Sequence, residues 1–174
     1  MIKSIKIIGL SLLILTFVAQ LLQNIIYKNI SISEPLGYYL AIPGMPIHNG
    51  DLVLTCLTNK HYKHVFNELG MKDVSGQCAN GMMYLIKRIV AATGDKLEVT
   101  ASGILINGIL YKNSKQFAEG RGIKLYPLAL GYSRILKEDE FFMLGNSTNS
   151  VDSRYFGVIN KTDIYRRAIL IYKE

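Results

Sequence analysis

The chain has 174 residues, 49% of them hydrophobic and 19% charged, with a formal net charge of +7. That is too apolar for a disordered chain and long enough for one domain with its own core. The positive charge is scattered apart from Arg166-Arg167 and forms no nucleic-acid motif, which leaves a membrane surface as the basic chain's expected partner.

The first element lies in "MIKSIKIIGLSLLILTFVAQLLQNIIYKN". Lys3 and Lys6 precede an apolar run from Ile7 to Ala19, and the pattern stays apolar to Ile26. A helix from Ile5 to Ile26 has the roughly 20 apolar residues that a membrane span needs. A cleavable signal peptide is the rival, but Phe17 stands where cleavage after Ala19 wants a small residue. We therefore expect an anchor over residues 1–28 and one domain over residues 29–174. The lysines place the short end in the cytoplasm and the domain outside it.

Next come "SISEP", with Ser31 and Ser33, and the strand-like "DLVLTCLT" after an "HNG" turn. Cys56 and Cys78 can close a disulfide outside the cytoplasm, with two buried thiols as the alternative. Between them "HVFNELGMK" suits a short helix ended by Gly70. "MMYLIKRIVAATGD" reads as a strand running into a Gly-Asp turn. "KLEVTASGILINGILY" alternates and turns at Ser102-Gly103 and Asn107-Gly108, a hairpin signal. Residues Asn113 to Leu136 are less regular, and "EFFMLGN" and "RRAILIYKE" supply late strands. The fold class is mainly β, with antiparallel sheets and one N-terminal transmembrane helix.

A reactive serine needs a base beside it. His48, His61 and His64 occupy no catalytic setting, and "HYKH" has no third ligand at a metal-site spacing, so neither a metal nor another cofactor is expected. The other candidate is Lys87. Neighbours in a strand face opposite sides, so if Arg88 faces solvent, Lys87 points into the core or a cleft. There its ammonium loses hydration, and the neutral amine becomes accessible. The reversed arrangement leaves Lys87 exposed, and periodicity does not choose between them. Downstream, "NSVDSRYFG" packs Ser150, Asp152 and Arg154 beside aromatics. Asp152 and Arg154 suit a salt bridge within a polar loop, which could also hold a lysine amine in place.

Taken in order, the anchor, "SISEP", "PGMPIHNGDLV", "LIKRIVAATGD", "ILING" and "FFMLGNSTNSVDSRYFGVI" resemble the membrane-anchored signal peptidases. Those enzymes use a Ser-Lys dyad. The Ser-x-Pro-x-Gly form around Ser33, the "GRGIKLYP" stretch and the two cysteines are similar to the TraF branch, the conjugative-transfer peptidases. The resemblance implies Ser33 as nucleophile, Lys87 as general base and Asp152 as a required aspartate. It implies Ser31 as an oxyanion donor beside the Ser33 N–H, Ser150 as a hydrogen-bond partner of the lysine, and Arg154 as the organiser of the loop. It also implies a signal-peptidase-like β domain on the periplasmic side of a bacterial inner membrane. The implied substrate is a pilin precursor or another membrane-associated preprotein. "AATGD" lacks the proline usual before Gly-Asp, and "SEPLGYY" has a shifted Gly-aromatic pattern; both bear on substrate preference. A general signal peptidase and a non-catalytic component of a transfer apparatus are the alternatives.

Overall fold

The computed structural model describes residues 2–23, 25–57, 78–79, 81–120 and 122–174, and within the first helix the side chains of residues 8–20. Helix α1 (Ile2–Gln23) comes first. It stops before the Ile26 limit expected from hydropathy. The β-branched and aromatic residues that follow pair as a strand instead. Among the described residues no helix is long and apolar enough to cross a membrane. The expected helix in "HVFNELGMK", together with His61 and His64, lies outside the described residues.

The body of the molecule is a seven-stranded antiparallel sheet. Its strands are β1 (Ile26–Asn29), β2 (Gly37–Ile42), β3 (Leu52–Thr55), β4 (Leu85–Ala91), β11 (Glu140–Leu144), β12 (Ile159–Asn160) and β13 (Ile164–Lys173). In space the order is β1-β2-β13-β3-β4-β11-β12. The last strand therefore lies between β2 and β3. Its ten residues pair with both, Ala168 facing Ala41 on one side and Leu52 on the other.

A second sheet holds β5 (Lys96–Thr100), β6 (Gly103–Ile106), β7 (Ile109–Leu110) and β10 (Ser133–Ile135) in the order β10-β5-β6-β7. Its β6–β7 turn is the Asn-Gly pair read from the sequence. Asn107 and Gly108 have φ of 52° and 81°, as a two-residue hairpin with the twist of its strands requires. The irregular segment expected from Asn113 to Leu136 contains a small hairpin, β8 (Glu119–Gly120) with β9 (Ile123–Lys124).

Strand β4 is covered on both faces. Leu85 and Ile89 join one apolar cluster with Val53 and Met143, and Val90 and Ala91 join another with Leu97 and Phe142. Ile86 packs with Tyr39 and Leu54 in a third. Cys56, just past β3, is bonded to Cys78, and the bridge closes the chain between β3 and the approach to β4.

Candidate active site

The site forms where the turn after β1 meets β4 and the loop after β11. Asn29 ends β1 and shapes the turn. Its amide nitrogen donates to the carbonyls of Ser31, Glu34 and Pro35 at 2.9–3.0 Å, and its oxygen accepts from the Ser31 N–H. The Tyr39 hydroxyl, on β2, donates to the Pro35 carbonyl at 2.7 Å. The Asn146 N–H donates to the Ser33 carbonyl at 2.6 Å and ties the turn to the loop after β11. This fixes Ser33, which is buried, as is Glu34 after it, while Ile30 and Ile32 before it are exposed.

Lys87 reaches this turn from the middle of β4. Its Nζ donates to Ser33 Oγ at 2.6 Å and to the Ile86 carbonyl at 3.2 Å. The lysine is 4% exposed, so the exposed alternative is overturned. Burial is the main influence on its proton and pushes its pKa down to about 8. The Asp152 and Glu34 carboxylates oppose that shift, and the Arg154 guanidinium reinforces it. At pH 7 roughly one amine in ten is then neutral, about 300 times the fraction of an unperturbed lysine.

Ser31 stands two residues before Ser33. Its Oγ lies 3.0 Å from Ser33 Oγ and 3.4 Å from the Ser33 nitrogen, whose N–H points to it. The two groups expected to receive an oxyanion thus face each other.

The third wall is the "SVDSRYF" corner. Asp152 caps α2 (Ser153–Phe156), accepting from the Arg154 N–H at 3.2 Å. Its other oxygen accepts from the Gly145 N–H at 2.9 Å. The Arg154 side chain bonds both oxygens of Asp152 at 2.8 Å. It also donates to the carbonyls of Asn113, Lys115, Ser147, Thr148 and Ser150 at 2.8–3.1 Å. Asp152 and Arg154 are both 0% exposed. Asp152 touches the loop rather than the lysine, and acts on Lys87 through charge.

The hydrogen bond expected between Ser150 and Lys87 is not formed. Ser150 Oγ is buried without a hydrogen-bond partner. The Lys87 Nζ is already turned to Ser33 and Ile86. Ser150 instead packs where Gly145 leaves room. A Cβ on Gly145 would overlap the Ser150 side chain and come within 3.0 Å of Ser33 Cβ. These groups open into a cleft of about 590 Å³, which also borders Phe117, Glu119, Leu125 and Tyr155. Among the described residues no three His, Cys, Asp or Glu side chains gather as a metal site. His48 is exposed beside Asp51 and does not border the cleft.

Several residues that shape the site escaped the sequence reading. Asn29 and Tyr39 looked like ordinary turn and strand residues, although they stand close to "SISEP" on either side. Gly145 was one glycine among fifteen. Glu34 was the most visible of them, an acidic residue directly beside the candidate serine.

A model of the signal peptidase, peptidase S26, family matches residues 1–173. The plasmid transfer protein TraF of Escherichia coli is 30% identical over 137 residues, covering 78% of this chain and 76% of that protein. The conjugal transfer protein TraF of Agrobacterium fabrum (strain C58 / ATCC 33970) is 33% identical over 137 residues, covering 75% and 73%. Among solved structures, a signal peptidase I from Enterococcus faecalis covers 71% of this chain at 15% identity and a TM-score of 0.38. With nearly its whole length matched, this chain belongs to the signal peptidase, peptidase S26, family.

Proposed function

We propose that the protein is a membrane-anchored serine endopeptidase that processes a pilin precursor for conjugative transfer. The observation that carries this reading is the 2.6 Å contact between Lys87 Nζ and Ser33 Oγ at a buried position. Neutral Lys87 takes the Ser33 proton as Oγ attacks the peptide carbonyl, and the ammonium then protonates the leaving amine. The acyl group stays on Ser33 until water, or a second amine, displaces it. As the tetrahedral oxyanion forms, Ser31 Oγ–H and the Ser33 N–H turn from each other toward it. Asp152 and Arg154 hold the wall against which the lysine is packed. Similarity to TraF proteins of two organisms supports a conjugative substrate.

The anchor belongs to the same reading. Helix α1 has 22 residues, a length of about 33 Å at 1.5 Å per residue, close to a hydrocarbon core. Its described apolar side chains, such as Leu13 and Leu15, are exposed. Ser33 follows the helix by ten residues, so the cleft opens near the surface in which α1 is held.

The test is co-expression with a pilin precursor. Ser33→Ala and Lys87→Ala should each abolish processing while the chain keeps its fold by circular dichroism. Normal processing by either variant overturns the dyad.

A further inference from the structure

Among the described residues, three buried side-chain atoms have no hydrogen-bond partner: Glu34 Oε1, Gln116 Oε1 and Ser150 Oγ. Of these residues only Ser150 lines the cleft. A buried hydroxyl without a partner costs stability, and a folded protein keeps few of them. A serine usually escapes that cost by bonding to the backbone around it. Here the backbone around it is already engaged. The Ser150 N–H donates to the Ser147 carbonyl at 3.1 Å, and Arg154 donates to the carbonyls of Ser147, Thr148 and Ser150 at 2.8–3.1 Å. At position 150 both main-chain groups are thus bonded and the hydroxyl is not.

Its place relative to the candidate nucleophile follows from Gly145. A Cβ on that residue would lie 2.2 Å from Ser150 Oγ and 3.0 Å from Ser33 Cβ, so both side chains stand against the same bare Cα. They are closer to each other than two residues of extended chain are long. Ser33 Oγ itself is touched by Lys87 Nζ at 2.6 Å and by Ser31 Oγ at 3.0 Å. Those two are the base and the oxyanion donor of the peptidase reading. Neither is left to hold the peptide beside the bond being cut.

We propose that Ser150 is a substrate-binding residue, whose hydroxyl takes a main-chain amide of the peptide immediately beside the scissile bond. The inference rests on the peptidase reading and supplies a contact that reading lacks.

A hydroxyl suits an amide from either direction. It donates to a carbonyl and accepts from an N–H, and a peptide main chain offers both. A peptide whose carbonyl has reached Ser33 Oγ carries its next amide one residue away, which is within the spacing of Ser33 and Ser150. Substrate side chains can differ without loss of this bond, so it sets the register of the peptide rather than selecting its sequence. Entry of the peptide also relieves the cost of the unpaired hydroxyl.

One substitution should therefore have two opposite effects. Ser150→Ala removes an unsatisfied group from the free protein, so the urea midpoint should stay at or rise above that of the wild type. The same change removes a bond from the complex, so a peptide should bind about 3–10-fold more weakly. A purely structural serine would lower stability and binding together.

The experiment uses the full-length chain in detergent micelles with Ser33→Ala in place, so that binding is read without turnover. The probe is a dye-labelled peptide spanning the junction of leader and mature chain in the pilin precursor. Fluorescence anisotropy gives its Kd with and without Ser150→Ala. The same peptide, N-methylated or ester-substituted at one main-chain position at a time, locates the bond: one position beside the cut should lose its effect when Ser150→Ala is present. Equal affinity in the two chains overturns the proposal. So does an unchanged KM with a slowed kcat and accumulated acyl-enzyme when Ser150→Ala is made with Ser33 intact, since that result gives the hydroxyl to the attacking water. If Ser150→Ala does not fold, a crystal structure of the Ser33→Ala chain with the peptide decides. Ser150 Oγ within hydrogen-bond distance of the peptide main chain is expected, and no such contact overturns the proposal as well. These readouts separate the inference from the peptidase reading. A weakened complex in a chain that cleaves nothing keeps the first and removes the second. Cleavage with equal affinity does the reverse.

Discussion

Two side chains hold the two halves of the cleft, and they are built differently. Asn29 gathers three carbonyls of the turn that carries Ser33. Arg154 gathers five carbonyls and the Asp152 carboxylate in the loop that backs Lys87. The first hub is a neutral, buried amide, followed in the chain by the exposed Ile30 and Ile32. The second is a fully buried charge pair. A neutral hub gives where a charged one does not, because a buried ion left without its partner costs far more than an unpaired amide. The serine side of the cleft can therefore adjust to a substrate, while the lysine side stays fixed and keeps the amine dehydrated.

The contrast can be broken at its stiff end first. Arg154→Gln leaves Asp152 unpaired in the interior and should cost about 3–5 kcal/mol, read as the urea midpoint of the full chain in micelles. Loss of that order with loss of processing is expected; a near-neutral change would dissolve the distinction between the hubs. Lys87 itself comes next. Its folded pKa of about 8 lies below the 10.5 of an ordinary lysine, so between those values the unfolded chain holds the extra proton. Stability attributable to this group therefore rises with pH through that window, by about 3 kcal/mol in total. Lys87→Met should remove this slope, and the wild-type minus variant difference in unfolding free energy, measured from pH 7 to 10.5, isolates it. The smallest effect belongs to the compliant end. Asn29→Ala should cost about 1–3 kcal/mol and slow processing without abolishing it. Kinetics with a precursor peptide and the urea midpoint together would show whether turn geometry and stability fall in step.

Much of this arrangement was visible in the residues. The Asn107-Gly108 turn, the strand through Lys87 and the Asp152–Arg154 pairing all rest on short-range rules, and short-range rules can be read from a sequence. The face of Lys87 could not. Alternation marks a strand with one wet side, and β4 has apolar clusters on both, so its pattern Leu85-Ile86-Lys87-Arg88-Ile89-Val90-Ala91 has no dry and wet face to compare. The helix boundary was misread for a related reason. Ile26 and Tyr27 continue the apolar run, but Leu40 and Tyr39 on β2 claim them as strand partners. Asn29 and Glu34 were missed because their importance lies in what burial does to them, and burial at a turn has no period.

The place of β13 in the large sheet has a consequence for timing. Strand β2 follows the Ser33 turn, β4 carries Lys87 by way of β3, and β13 is the ladder that joins those two halves. During synthesis both halves are made well before residues 164–173 exist. Until that strand slides between them, no backbone ladder connects the serine's half of the sheet to the lysine's. A growing chain of this kind carries Ser33 with no ladder to Lys87, and the last long strand to be made is also the one that joins their two halves of the sheet.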